Sequence, residues 1–222
     1  SMHNALIRSS PSLADEDHEA IRARIFEAGI RPLLKFLDAF RVHNMACYAS
    51  AAVAKLGHEL GRSEWLERGL HDPQTGLRAL LLEGVPAGPQ GEMDGFWFEG
   101  TLFYHLYALC PLITLVEIDR QNGQQVMADR TLQRRFEEMF AAPVELCDQS
   151  LRLPVIGDLG APKVMSLRQW AHMYEYAAGR INCERFGPVL SAICASGVGR
   201  EHWSALAFGP DVLPSPRIPR TH

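Results

Sequence analysis

The sequence predicts an all-α fold. Three observations carry this. Apolar residues recur at helical spacing in one segment after another. Gly, Pro, Ser and Asn fall where helices would start and stop. No segment alternates apolar and polar residues over a useful length. With 222 residues, 47% hydrophobic and 22% charged, the chain can build a packed core. The expected organisation is a loose polar segment at 1–14, a helical domain at 15–213 and an extended tail at 214–222. Ser1 ahead of Met2 reads as a scar of tag removal.

The elements follow in order. Ser12-Leu-Ala-Asp-Glu offers caps and early-turn acids for a helix running to about Gly29, with Ile21, Ile25 and Phe26 as its apolar stripe. Pro32 suits the first turn of a new helix through Phe40. From Met45 to Leu60 small residues dominate (Ala46, Ala49, Ser50, Ala51, Ala52, Ala54), so this helix can approach its neighbours closely. Gly61 closes it. Ser63 is placed to cap the next helix, and Gly76 to Glu83 reads as another, ended by Gly84. Pro86, Gly88, Pro89 and Gly91 mark a loop. Phe98, Leu102, Leu106, Leu109, Ile113 and Val116 share one helical stripe, and Pro111 should kink that helix. Asp129 to Cys147 predicts one or two helices interrupted near Pro143. Leu153-Pro-Val-Ile-Gly-Asp is a loop with a short extended piece. Ser166 caps a helix through Ala178; shorter helices follow at Pro188–Ala195 and Glu201–Phe208. Short loops between antiparallel helices suggest stacked helical hairpins.

Composition narrows the function. The net charge is −4 and no Lys/Arg run is present, which argues against nucleic acid as a partner. The purely apolar runs are only a few residues long, which argues against a membrane span. Five cysteines (Cys47, Cys110, Cys147, Cys183, Cys194) show no Cys-x-x-Cys or Cys/His spacing. Neither a disulfide framework nor a metal centre is expected, and no cofactor. The start, Ser-Met-His-Asn, is not a signal peptide.

Chemistry concentrates in Asp94 to Leu109, Asp-Gly-Phe-Trp-Phe-Glu-Gly-Thr-Leu-Phe-Tyr-His-Leu-Tyr-Ala-Leu. Aromatic rings beside an acid, a tyrosine and a histidine suit a site that stacks on sugar rings and moves protons. Each residue also has a plainer role. Tyr104 fits a core tyrosine with a satisfied hydroxyl. Glu99 fits a first-turn acid, Trp97 a plug under the loop, and Asn44 an N-cap for a helix starting at Met45. His43 fits a loop histidine. Tyr104 and His105 point about 100° apart on a helix, so they do not face one cleft squarely. His172 and His202 fall on predicted helix surfaces and need no special role.

The segment Asp-Gly-x-Trp-x-Glu-Gly-x-x-x-Tyr-His-x-Tyr-Ala-Leu at 94–109 resembles the heparinase II/III-like and alginate lyase-like polysaccharide lyases. His-Asn-x-x-x-Tyr-x-x-Ala-Ala at 43–52 is similar to the segment carrying that family's catalytic asparagine. Leu153-Pro-Val-Ile-Gly-Asp, Tyr174-Glu175-x-Ala177 and Trp203-Ser-Ala-Leu-x-Phe-Gly resemble later segments, so the likeness runs from about 30 to 213. It implies an incomplete α/α toroid and β-elimination on uronate-containing acidic polysaccharides. It also implies a β-sandwich partner domain and a periplasmic or secreted setting. Asn44 would then neutralise the substrate carboxylate, Tyr104 would be the catalytic tyrosine, and His43 and His105 would line the cleft, with His105 assisting proton transfer or holding a sugar hydroxyl. Trp97 and Glu99 would contact substrate, and Arg41 and Arg78 would supply a basic lining.

The proposed chemistry suits these residue types. Removing the C5 proton of a uronate builds negative charge beside a carboxylate, and a fixed donor such as an asparagine amide stabilises it. A tyrosine then moves the proton, its phenol pKa lowered from about 10 if it acts as the base. The runner-up expectation is a non-catalytic glycan-binding or scaffold module of the same fold. A toroid cut short would expose apolar helix faces, which predicts self-association.

Overall fold

The computed structural model describes residues 14–88, 94–155 and 164–218. The protein is mostly helical, as its periodicity predicts, with one two-stranded ladder. It divides into two compact units, one of residues 1–84 and 111–129 and the other of 85–110 and 130–222.

Unit 1 opens with α1 (Asp15–Ile21), whose first turn carries Asp15, Glu16 and Asp17. Acids there interact favourably with the positive end of the helix dipole. The backbone passes through a π-helical stretch, Arg22–Glu27, directly into α2 (Ala28–Ala39). The expected break at Gly29 and Pro32 does not occur. Ile30 and Leu37 are buried against Ala46, Ala49 and Val53, with Leu33 and Leu34 packed alongside. This apolar stripe stays in register across Pro32, so tertiary burial outweighs the local helix breaker.

His43, not Asn44, caps α3 (Asn44–Leu60): its backbone is extended and Nδ1 accepts the Met45 N–H at 3.2 Å. Arg62 rather than Ser63 precedes α4 (Ser63–Leu70) as its cap residue. The small residues of α3 bring α4 within backbone contact. A Cβ on Gly69 would overlap the backbone at Ser50 and Ala54. Ser50 Oγ donates to the Thr75 carbonyl at 2.7 Å, and Arg68 binds Asp72, Asp38 and the Thr75 hydroxyl. These contacts lead into α5 (Leu77–Gly84), where the sequence places a helix. The second half of α6 (Leu102–Gln121) also belongs to this unit. In its last turn the buried Asp119 accepts the Val126 and Met127 N–H groups at 3.0 and 2.9 Å, satisfying a carboxylate and two turn amides together. Arg78 pairs with Asp129 at 2.9 Å and is committed there rather than to a ligand.

In unit 2 the start of α6 lies later than its apolar stripe suggests. Phe98 and Glu99 precede the helix, because Thr101 Oγ1 accepts the Tyr104 N–H at 3.1 Å and caps it. α6 is continuous through Pro111. It is 20 residues long and by length and composition apolar enough to cross a membrane, yet 61% of the relevant window is buried inside the protein. α7 (Arg130–Leu146) likewise runs through Pro143 without interruption, because Pro143 is buried in its apolar stripe with Met139, Phe140 and Val144.

The extended piece at 153 is real. β1 (Arg152–Leu153) pairs antiparallel with β2 (Met165–Ser166), Arg152 opposite Ser166 and Leu153 opposite Met165. Ile156, Gly157 and Asp158 lie outside the described residues. Ser166 forms a capping box with Gln169 over a 3-10 turn, Leu167–Trp170. α8 (Ala171–Tyr176) follows and widens into a π-helical turn, Ala177–Ile181. α9 (Cys183–Ala195) starts earlier than Pro188 because Asn182 caps it through the Arg185 N–H. α10 (Trp203–Ala207) is capped by His202. Phe136, Phe140, Tyr174, Tyr176 and Phe186 form an aromatic core with ring centroids 5.3 to 6.5 Å apart. Glu175, 3% exposed, is held by Arg200 Nε and Nη2, each at 2.7 Å. The tail lies on α9, with Pro214 accepting from Ser191 Oγ at 2.5 Å and Arg217 N–H donating to Pro188 O at 3.1 Å.

Two stability outcomes follow. Gly69→Val forces α3 and α4 apart and should cost about 3 kcal/mol or more in urea unfolding, at the upper end of overpacking; an unchanged midpoint would sink this account. Arg200→Ala strands the buried Glu175 carboxylate and should cost about 3–5 kcal/mol at neutral pH.

Candidate functional site

The site begins at an Asx turn. Asp94 Oδ1 accepts the Phe96 N–H at 2.9 Å and starts the chain folding back before α6. Trp97 comes next and is 1% exposed. Its indole N–H donates to Glu99 Oε2 at 2.5 Å. A buried indole paired in this way offers no flat face to a sugar ring. Trp97 is therefore a structural residue rather than a stacking platform. Phe98 is the exposed ring of this segment, at 47%.

His105 departs furthest from expectation. It is fully buried. Nδ1 accepts the Trp97 N–H at 3.1 Å, and Nε2 lies 2.8 Å from the Met139 carbonyl. A backbone N–H can only donate, so Nδ1 is the acceptor and the ring proton sits on Nε2, donating to Met139. Burial drives its pKa down to about 4, against the opposing pull of the Met139 carbonyl and Asp94. A neutral imidazole with both nitrogens engaged is not available to a substrate. The expected cleft-lining and proton-transfer roles of His105 give way to a bridge between the 94–100 segment and α7.

Tyr104 keeps its availability. The helical turn of about 100° that buries His105 leaves Tyr104 half-buried on the adjoining face. Its ring meets Phe103 edge-on at 5.8 Å, and its hydroxyl makes no hydrogen bond among the described residues. Thr101, which sequence reasoning passed over, fixes the first turn that presents Tyr104. The signal was a threonine three residues ahead of it, the spacing of an N-cap.

The other predicted residues lie at the α2–α3 corner of unit 1. Asn44 is 4% exposed and is the first residue of α3. His43 is half-buried, with Nδ1 committed to the cap. Arg41 is exposed and forms no ion pair among the described residues. Phe40 and Met45, 44% and 47% exposed, flank it. The corner thus joins an exposed guanidinium, an imidazole and an amide within four residues.

A half-open pocket of about 230 Å³ lies elsewhere in unit 2, lined by Ala141, Val144, Glu145, Arg185, Phe186 and Val189. It contains none of the predicted residues. Arg185 on its wall is held by Glu138 and Glu137 at 2.8 and 3.1 Å. Among the described residues no cluster of three or more His, Cys, Asp or Glu has the arrangement of a metal site.

The His105 bridge has a pH signature. The folded-state pKa is depressed, so the unfolded chain binds the extra proton between about pH 6.5 and pH 4. The contribution of a neutral His105 is complete above pH 6.5 and is lost as pH falls through that window. His105→Gln, whose amide can accept and donate at one end, should be less stable at pH 7 and show a flatter stability–pH slope. An identical slope in the two proteins would show that His105 does not carry this dependence. Compared with known proteins, the chain matches no family model, no curated protein and no solved structure.

Proposed function

We propose that the chain is the α-helical, toroid-type portion of a polysaccharide lyase acting on uronate-containing acidic glycans. Tyr104 is the proton-transfer residue and Asn44 the carboxylate partner. The observation that carries this reading is the contrast at 104–105. His105 is consumed by the backbone, while the Tyr104 hydroxyl, one residue away, is presented without a partner among the described residues. A core tyrosine would normally have its hydroxyl satisfied, as Tyr174 does through the Phe140 carbonyl at 3.1 Å. Arg41, exposed beside His43 and Asn44 and without an ion pair among the described residues, supports recognition of an acid. The packed pair α3 and α4, joined by two residues, is the helical hairpin from which such a toroid would be built.

In this mechanism the Asn44 amide donates to the substrate carboxylate and stabilises the charge that develops as the C5 proton leaves. Tyr104 takes that proton, with water protonating the leaving C4 oxygen, or it delivers a proton to that oxygen while water accepts the one from C5. The C4–O bond breaks as the C4–C5 double bond forms, so no oxidant or reductant is needed.

A second reading, a non-catalytic glycan-binding or scaffold module of the same fold, is favoured by the engagement of His105. It leaves Tyr104 without an adjacent imidazole to share the proton.

The test is ultraviolet absorbance of unsaturated uronate after mixing the protein with alginate, heparin-like and hyaluronan-like polymers. Tyr104→Phe and Asn44→Ala should each cut the initial rate about a hundredfold or more, with far-ultraviolet circular dichroism unchanged. Full activity in both variants would refute the assignment. Polymer binding by the wild type without absorbance would favour the module.

A further inference from the structure

Unit 2 carries a second group of side chains suited to a ligand, distant in sequence from Tyr104. It is a continuous run of rings at the α8–α10 surface. Trp170 lies 6.2 Å from His172, His172 5.0 Å from His202, His202 6.2 Å from Trp203, and Trp203 5.2 Å from Phe208. Arg180 places its guanidinium 5.5 Å from the centre of the Phe208 ring. Trp203 is 61% exposed. Close backbone packing sets the run: a Cβ on Gly179 would collide with the Phe208 carbonyl oxygen, so only glycine lets the 203–208 segment lie on the 177–181 turn.

This surface carries unused hydrogen-bonding capacity beside exposed rings. Arg185 and Arg200 are saturated by Glu137, Glu138 and Glu175. Arg180, by contrast, is exposed and has no ion pair among the described residues. The Ser204 backbone N–H donates into His202 Nδ1 at 3.1 Å, which fixes that nitrogen as the acceptor. The His202 proton therefore sits on Nε2, which makes no hydrogen bond among the described residues. That assignment also argues against a metal on the His172–His202 pair, since Nε2 holds a proton rather than a free lone pair. His172 and the Trp203 indole N–H likewise have no hydrogen-bond partner there, and the Trp170 Nε1 is buried without an acceptor.

We propose that the Trp203–Phe208 surface, with Arg180 and His202, is a binding subsite for the ring of an acidic sugar. The exposed Trp203 indole supplies an apolar face for the C–H side of a pyranose. Arg180 supplies a charge-assisted partner for its carboxylate. The His202 Nε2–H and the Trp203 N–H supply donors for hydroxyls. Charge decides the class: a neutral sugar would leave the free guanidinium unmatched, and a purely apolar ligand would leave all the donors unmatched. This rests on the acidic-glycan reading above but places a contact away from Tyr104, where it would hold the polymer rather than react with it.

Isothermal titration of the full chain with a mannuronate tetrasaccharide, and with maltotetraose as the neutral probe, tests this. The wild type should bind the acidic probe and prefer it to maltotetraose. Trp203→Ala and Arg180→Gln should each weaken acidic binding by about tenfold or more, while Trp203→Phe retains part of it. Both side chains are exposed, so the variants should fold, which circular dichroism checks. If the wild type binds the acidic probe and both variants bind equally well, the subsite is overturned while the acidic-glycan reading stands. Equal wild-type affinity for the two probes would overturn the role of Arg180 as a carboxylate partner. Failure of the wild type to bind either probe would overturn both proposals.

Discussion

The bridge made by the His105 imidazole is the constraint on which the 94–110 segment depends. It joins a loop amide, at Trp97, to a carbonyl in the middle of α7, at Met139. Both backbone groups would otherwise be buried without partners, at a cost comparable to desolvating them outright. Once His105 is fixed, its neighbours have little freedom. Trp97 is drawn into the core and turns its N–H to Glu99. Phe96 lies against the imidazole at 5.5 Å. Helical geometry then leaves Tyr104 on the adjoining face. The presented hydroxyl is thus a by-product of a structural histidine next to it.

The two units reach a packed core by different routes. Unit 1 uses small residues, so helix backbones touch and polar side chains such as Ser50 and Asp119 satisfy the main chain across short distances. Unit 2 uses large rings, whose edge-on and stacked contacts fill the space between α7, α8 and α9, with charged pairs at their margin. Small-residue packing depends on the absence of atoms, so added volume is felt there. Ring packing depends on their presence, so truncation is felt instead.

The helices were legible wherever a stripe of apolar residues ran for several turns. Their ends were less so. Pro32 and Pro143 read as interruptions, yet the helices continue, because burial of Leu37 and of Phe140 and Val144 outweighs one missing hydrogen bond. Local signals cannot weigh that tertiary contribution. The caps divided similarly. Ser166 and Asn182 act as their residue types suggest, Ser166 with its Gln169 partner. His43 and His202 took positions where histidine is not the usual cap. The site residues were legible as a cluster of types but not by role. Nothing in Tyr-His says which ring will be buried; that follows from the Met139 carbonyl, thirty-four residues on. The Trp203 surface was less legible still, since its rings and Arg180 meet only through a glycine that admits a backbone.

The tail along α9 has a kinetic implication. The Ser191 hydroxyl has one proton but two acceptors, the Gly187 carbonyl at 3.0 Å and Pro214 at 2.5 Å. Releasing the tail therefore leaves that donor still satisfied within its own helix. Beyond it the Arg217 amide donates to Pro188 O, its one backbone partner among the described residues. Peeling away residues 214–218 is for that reason an inexpensive local opening, uncoupled from loss of the aromatic core. Amide exchange at Arg217 would then run on the fast, sub-global timescale while the centres of α7 and α9 exchange only through global unfolding.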